Sequence, residues 1–339
     1  MSVALGMSFV TLPPCNLTLT LGGNVEMPTL KLLNAEQRAS VERFMADPDQ
    51  FAAAMTVWQL IDLKSNRWND NANELRRHPR FAELPDEQLR IIALIGQTSG
   101  DGLFAPDCFQ AGICRRFVLD SPLELALRLS MAARYQRLQT QFSGNDHFDE
   151  LWRPLLHSVA AHDFAVVNRI LDLSPALIEK PNNRAYAAVF AGLYALVTKN
   201  AELLQQAVAQ SKKGKPFAYI KAINLVLEAV SESSAPLFAQ GMNKLLSAYP
   251  KYMYGDEIYA LVDPHAIGLY ELCRSYSRDV VALFDTGRKL PWDSAYYSWL
   301  QSCDDLTPHL KREAVSIDLQ PFLIDLQTLE WGAAVRKNW

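Results

Sequence analysis

The fold is decided by residues 186–246, which read YAAVFAGLYALVTKNAELLQQAVAQSKKGKPFAYIKAINLVLEAVSESSAPLFAQGMNKLL. Apolar residues recur here at the three- and four-residue spacing of one helical face, and short polar runs interrupt them. In the first helix this face includes Val189 and Leu193, with Gly192 allowing a neighbour to approach. Connections of about two to six residues force successive helices to be antiparallel. The stretch therefore predicts an all-α protein, built as a helical bundle or a short α-solenoid of antiparallel helix pairs.

Capping residues mark helix starts along the chain. Asn34 with Gln37 resembles a capping box, in which each side chain satisfies the backbone amide of the other residue. The run Ser121-Pro-Leu-Glu124 combines a cap, a first-turn proline and a glutamate, and it predicts a long helix to about Gln141. The same signals stand at Asn200, Ser234, Asp163, Asp263 and Asp293.

The helix faces predict which side chains are buried. After the polar break Ser211–Pro216, one stripe contains Phe217, Ile220, Ile223 and Leu227. The helix after Asp263-Pro264 is apolar almost all round, which predicts deep burial. Two further segments are predicted to be non-helical: a loop over Gly96–Pro106 and a short extended piece over Asp279–Phe284.

The chain divides at its polar breaks. Residues 1–33 are expected to form an extended N-terminal segment, in which Thr18–Leu21 alternates like a short strand. Residues 34–145 form an N-terminal helical part, and 146–339 form the central and C-terminal helical stack. The boundary is placed at the break Ser143-Gly-Asn-Asp146, although the two helical parts are also compatible with one continuous domain.

Composition narrows the class of protein. The chain has 339 residues, of which 49% are hydrophobic and 21% charged. Its net charge is −4 and the two signs are well mixed, so its electrostatic field does not favour nucleic acid or an anionic membrane as a partner. No run of about 18 apolar residues predicts a membrane span. The cysteines are odd in number and scattered, which favours reduced thiols and a cytoplasmic location. They are Cys15, Cys108, Cys114, Cys273 and Cys303.

The motifs of common catalytic and ligand sites are missing from the sequence. The lysines of Lys212-Lys-Gly-Lys215 lie between helices and are most simply a solvated turn, not a phosphate cradle. His157 and His162 are five residues apart, a spacing that does not make a metal or acid–base pair. We therefore expect no catalytic residue, cofactor or metal, and no enzymatic activity. An enzyme whose site is assembled from distant residues is a further class, which a bound metal or cofactor would support.

The segment Tyr249–Asp263 is the candidate site for a partner. Aromatic anchors beside charged residues are the composition of interface hot spots. The candidate contact residues are Tyr252, Tyr254, Asp256, Glu257 and Tyr259. The alternative interpretation is that the tyrosines cover the end of the stack, with their hydroxyls reaching solvent. A second aromatic group, around Trp292 and Tyr297, is more typical of a core than of a contact surface.

The pattern from about Asp163 to Leu300 resembles the Imm49 family of bacterial polymorphic-toxin immunity proteins. The resemblance lies in hydrophobic spacings and covers less than half of the chain. It comprises the helix pair Arg184–Ala209, the segment Tyr249–Asp263, the apolar helix Ile267–Tyr276 and the run Lys289-Leu-Pro-Trp292.

The resemblance implies a cytoplasmic protein that binds a cognate toxin and blocks its active site or substrate entry. Many such toxins are nucleases or other enzymes with basic clefts, which an acidic, aromatic surface could occupy by charge complementarity. No catalytic group is needed for this mechanism. The alternative function is a helical-repeat scaffold that binds a cellular partner. A homo-oligomer is compatible with either.

Overall fold

Helices are the only regular elements in the part of the chain that the structure describes, which confirms the all-α prediction. A computed structural model describes residues 30–47, 55, 69–86, 88–89, 92–93, 104–142, 151–172, 184–213, 215–253 and 257–303. Several predictions lie outside these ranges: the strand Thr18–Leu21, the break Ser143–Asp146 and the region after residue 303.

The helices follow one another with short connections in the central and C-terminal parts. After a 3-10 turn at Leu30–Leu32 come α1 (Ala35–Ala46), a helical stretch over 69–76, α2 (Phe104–Val118), α3 (Pro122–Phe142), α4 (Trp152–Ala160), α5 (Phe164–Asp172), α6 (Arg184–Thr198), α7 (Ala201–Ser211), α8 (Ala218–Ser231), α9 (Ala235–Tyr252), a 3-10 turn at Tyr259–Leu261, α10 (Pro264–Tyr276), α11 (Arg278–Val281) and α12 (Ser294–Gln301).

The predicted caps are confirmed. The Gln37 amide donates to Asn34 Oδ1 at 2.9 Å, and the Asn34 amide donates to Gln37 Oε1 at 3.0 Å, which completes the capping box of α1. The side chains of Asn200 and Ser234 accept from amides in the first turns of α7 and α9. Since these bonds are local, they could be predicted from sequence alone.

Helices α8 and α9 form an antiparallel pair at the centre of the stack. Gly241 of α9 lies so close to α8 that a β-carbon there would be 2.8 Å from Val226 Cγ2. Gly192 of α6 provides the same access on another side of α8, because a β-carbon there would be 2.6 Å from Leu227 Cδ1. The predicted close approach at Gly192 is therefore confirmed, and α8 is packed tightly between its neighbours.

Helix α10 passes through the middle of the molecule, as its apolar composition predicts. All ten residues from Pro264 to Cys273 are buried. At Gly268 the helix meets the backbone of α4, where a β-carbon would lie 2.2 Å from the Leu156 carbonyl oxygen. Only a glycine allows two backbones to come this close.

Two buried ion pairs join parts of the chain that are distant in sequence. Arg116 of α2 donates to Asp293 through Nε at 2.9 Å and Nη2 at 3.3 Å. Arg134 of α3 donates to Asp163 at 2.9 and 3.0 Å. Both pairs cross the predicted boundary between residues 145 and 146, and both carboxylates also cap a helix, α12 and α5 respectively. These contacts connect the N-terminal helical part directly to the stack.

Three predictions of local structure are wrong. Asp279–Phe284 is not extended, because Arg278–Val281 forms helix α11. Two adjacent buried valines suit a single helical turn packed on α9 as well as they suit a strand, so the sequence pattern did not separate the two. The loop predicted over Gly96–Pro106 ends early, since α2 begins at Phe104. Phe217 is not in the core and is 71% exposed, whereas the other members of its stripe are buried. Phe217 precedes the first turn of α8, so the face of that helix does not fix its direction.

None of the described helices is long and apolar enough to cross a membrane. Cys273, which is buried in α10, is a free thiol.

Candidate partner-binding surface

Three of the five predicted contact residues are described, and they lie at one end of the helical stack. Tyr252 is the last residue of α9 and is half-buried, Glu257 is exposed, and Tyr259 is half-buried in the 3-10 turn that follows. Tyr254 and Asp256 lie outside the described residues. We call the residues 215–221, 251–253 and 257–261 the stack end.

Tyr252 is held in place from two sides. Its ring stacks on that of Tyr219 of α8, with the centroids 4.4 Å apart and the planes 12° from parallel. Its hydroxyl accepts a hydrogen bond from Arg153 Nη2 at 2.9 Å. Because α8 and α4 fix both the face and the tip of the ring, the part of Tyr252 that reaches solvent is ordered before any partner arrives.

The acidic side of the stack end rests on α1 and α2. The Ser40 hydroxyl of α1 donates to the carboxylate of Glu257, and Arg43 Nη2 donates to Ser40 Oγ at 3.1 Å. The Tyr259 ring packs against Phe109 of α2, with the centroids 5.3 Å apart. These contacts hold Glu257 against α1 and Tyr259 against α2.

Asp263 anchors the stack end to the core. Its carboxylate accepts from the Ala266 amide at 3.0 Å, capping α10, and from the Tyr219 hydroxyl at 2.9 and 3.1 Å. Its own amide donates to the Pro291 carbonyl oxygen at 2.9 Å. Burial raises the pKa of Asp263 to about 7, although the hydrogen bonds that its carboxylate accepts from Ala266 and Tyr219 lower it.

His157 and His265, the second of them two residues after Asp263, stack on each other, and we call them the histidine pair. His157 of α4 and His265 of α10 have ring centroids 4.6 Å apart and planes 9° from parallel. Burial, with Arg153 as a second cause, lowers the pKa of His157 to about 3. Burial also holds the pKa of His265 well below its ordinary value, with His157 and Arg153 adding to the effect. Both imidazoles are therefore neutral.

The histidine pair makes few hydrogen bonds. Within the described ranges, both ring nitrogens of His157 and Nε2 of His265 have no partner, and His265 Nδ1 lies 3.3 Å from the Tyr219 hydroxyl. Tyr219, Asp263 and His265 could in principle pass a proton along this line. All three are buried, however, so a substrate would have to displace core side chains to reach them.

His162 is separate from the histidine pair. It lies at a backbone turn with a φ of 51°, and its Nδ1 is 2.5 Å from the Cys303 carbonyl oxygen. Its Nε2 is 3.9 Å from Glu271. The two histidines weighed as a pair from sequence thus have different neighbours. Among the described residues, no three His, Cys, Asp or Glu side chains form a group suited to a metal ion.

The second aromatic group belongs to the core. Trp292, Tyr296 and Tyr297 are buried, and the Trp292 indole donates to the Thr286 carbonyl oxygen at 2.9 Å. The Tyr296 hydroxyl donates to the carbonyl oxygen of Ala160 at 2.6 Å. These side chains join α12 to the stack and are not available to a partner.

Sequence reasoning missed one exposed residue of the stack end, Phe217. A signal for it was present: the position before a helix favours Ser, Asp or Asn, and a phenylalanine there can neither cap nor be assigned to a helical face.

Compared with known proteins, the chain matches no family model, no curated protein and no solved structure.

Proposed function

We propose that this protein is an immunity protein, which binds a cognate bacterial toxin through the stack end and covers the toxin's active site or substrate entry. The resemblance of the hydrophobic spacings to those of the Imm49 family motivates this proposal. Charge complementarity between the acidic side of the stack end and a basic cleft would orient the two proteins, and aromatic side chains would supply most of the binding energy.

The observation that carries the proposal is the fixed position of Tyr252. A ring clamped between Tyr219 and Arg153 loses little side-chain entropy when a partner covers it. Side chains prepared in this way are typical of interface hot spots, which combine a large aromatic surface with a polar tip. Tyr259 and Glu257 extend the same surface towards α1.

Co-expression tests the proposal. The product of the adjacent reading frame is expressed with and without this protein, and growth is scored together with co-purification. We expect this protein to restore growth and to bind the toxin. Alanine at Tyr252, Tyr254, Asp256 and Glu257 together should abolish both effects. A pull-down unchanged by the four alanines would reject the stack end as the contact surface.

A matched control lies at the other end of α9. Leu283 and Asp285 are exposed, and the Phe284 ring between them lies 6.4 Å from that of Phe238, in the first turn of α9. Fourteen helical residues separate Phe238 from Tyr252, which corresponds to about 21 Å along the axis. Alanine at Leu283 and Asp285 should leave rescue unchanged.

A helical-repeat scaffold is the second candidate function. It is favoured by the packing of α6 on α7 and of α8 on α9, since each helix contacts its sequence neighbour extensively, as in stacked helix pairs. A scaffold would bind a cellular partner and would give no rescue in the co-expression test.

A further inference from the structure

Phe217 has no structural role of its own within the described chain. It is 71% exposed, so it contributes little to the core. It occupies the N-cap position of α8, with φ −57° and ψ 159°, but makes no side-chain capping hydrogen bond. A Ser, Asp or Asn would cap this helix better, and a polar residue would be better solvated. Its exposed ring is therefore available for a contact outside the chain.

Three lysines lie near Phe217 in the chain or at the neighbouring end of α9. Lys221 is one helical turn further on, and its amide donates to the Phe217 carbonyl oxygen at 2.9 Å. Lys215 stands two residues before Phe217, and Lys251 precedes Tyr252, whose ring stacks on Tyr219. All three lysines are exposed. We call Lys215, Phe217, Lys221 and Lys251 the lysine–phenylalanine patch.

The lysines of the patch are not neutralised by the described part of the chain. None of the three forms an ion pair with a described residue, whereas Lys212 nearby pairs with Glu228 at 2.5 Å. The patch would attract an acidic group and place it beside an exposed aromatic ring.

We propose that the lysine–phenylalanine patch binds an acidic segment of the partner protein, with an apolar side chain of that segment packed on Phe217. The proposal rests on the proposed function, because it assigns the partner's chemistry at the same stack end. The partner would then combine a basic cleft, facing Glu257, with an acidic segment beside it, facing the lysines. Opposite charges on the two sides of the stack end would fix the orientation of docking.

A protein segment suits the patch better than nucleic acid does. Nucleic-acid affinity comes mainly from neutralising phosphates with Lys and Arg, and three lysines supply few such contacts. A single exposed phenylalanine with three cations matches a short acidic peptide with an apolar anchor, in which a few contacts supply most of the affinity.

A fluorescent peptide tests the patch without the toxin. The probe is a synthetic peptide in which glutamate pairs flank leucine and tryptophan, and binding is followed by anisotropy at low salt. We expect saturable binding to the full chain. Phe217→Asn and the double variant Lys215→Ala/Lys221→Ala should each bind at least about tenfold more weakly. Because asparagine is a good N-cap, Phe217→Asn is expected to stay folded. Circular dichroism checks that its helix content is unchanged.

Matched controls are Leu283→Asn and the double variant Lys244→Ala/Lys289→Ala. Leu283 is 62% exposed, and both lysines are exposed and outside the patch. These variants should bind the peptide as the unaltered chain does. Three results would overturn the proposal: no saturable binding by the unaltered chain, equal losses in patch and control variants, or tighter binding of poly-uridine RNA or of phosphatidylserine vesicles than of the peptide.

The peptide and co-expression experiments can reject the patch and the immunity function independently of each other. If the toxin binds but Phe217→Asn leaves that binding unchanged, the patch is wrong and the immunity function stands. If the adjacent reading frame gives no complex while the peptide binds through Phe217, the patch stands and the immunity function is wrong.

Discussion

The arginines of α2 and α3 and the lysines of the stack end carry the same charge in opposite settings. Arg116 and Arg134 are buried, and each meets a carboxylate through two hydrogen bonds. Lys215 and Lys221 are exposed and meet no described carboxylate. In the first region the desolvated charge must be neutralised within the chain, so it holds helices together. In the second region water solvates the charge, which leaves it available to a partner.

This difference predicts that removing a carboxylate from the buried region has the largest effect. Asp293→Ala would leave Arg116 with Asp120, at the surface, as its described carboxylate contact, and would uncap α12. Breaking a buried pair in this way costs about 3–5 kcal/mol of unfolding free energy. Urea denaturation measures the loss. The matched change Asp285→Ala removes one exposed bond to the Gly287 amide and should cost at most about 1 kcal/mol. Equal losses in the two variants would contradict the comparison.

The histidine pair makes the buried region sensitive to acid. The pKa of His157 falls from 6.5 to about 3 on folding, so below pH 6.5 the unfolded chain binds a proton that the folded chain does not. The free energy of unfolding should therefore decrease as the pH falls below 6.5, by about 1.4 kcal/mol per pH unit for each histidine. Asp263 has the opposite sign, because its raised pKa favours the folded state at low pH and this contribution is lost as the pH rises through about 7.

Stability should consequently be greatest near neutral pH. Urea midpoints measured on both sides of neutrality test this, and His157→Gln should flatten the acid side of the curve. His78 is exposed, so His78→Gln serves as the control and should leave the curve unchanged. A His157→Gln curve as steep as that of the unaltered chain would show that the histidine pair is not the cause.

Tyr252→Phe tests how firmly the stack end is held on α4 and α8. The change removes the hydroxyl that accepts from Arg153 but keeps the ring on Tyr219. We expect a loss of about 1 kcal/mol in unfolding free energy, measured by urea denaturation. Tyr252→Ala would remove the stacked ring as well and should cost more. No difference between the two variants would argue that the stacking is unimportant.

The smallest expected effect is a gain in stability at Phe217. Phe217→Asn supplies the missing cap of α8 and removes an exposed aromatic ring, so unfolding free energy should rise by about 0.5–1 kcal/mol. The measurement is the urea midpoint. A clear loss of stability would mean that Phe217 is held by the chain itself, and it would remove the reason for assigning Phe217 to a partner.

Local signals made much of the fold predictable from sequence. The caps at Asn34, Asn200 and Ser234 involve residues three apart, and the helix faces follow a fixed period, so neither needs tertiary information. Helix α2 was missed, because its buried Arg115 and Arg116 look like surface residues until their carboxylate partners are known. Glu124 is only nine residues from Arg115, but Asp293 is 177 residues from Arg116, and no local pattern shows that second pair.

The candidate site was predictable only in part. The aromatic and acidic composition of Tyr249–Asp263 pointed to the end of the stack, where Tyr252, Glu257 and Tyr259 now lie. The sequence could not show that Tyr219 would stack on Tyr252 from 33 residues away. It also placed Phe217 in the core, since exposure depends on how the chain enters α8.

The most direct test of the account is hydrogen exchange of this protein with and without the product of the adjacent reading frame. We expect binding to slow amide exchange in residues 215–221 and 251–261 and to leave residues 283–289 unchanged. Slower exchange confined to residues 283–289, or no change in any segment, would contradict the claim that the protein acts through the stack end.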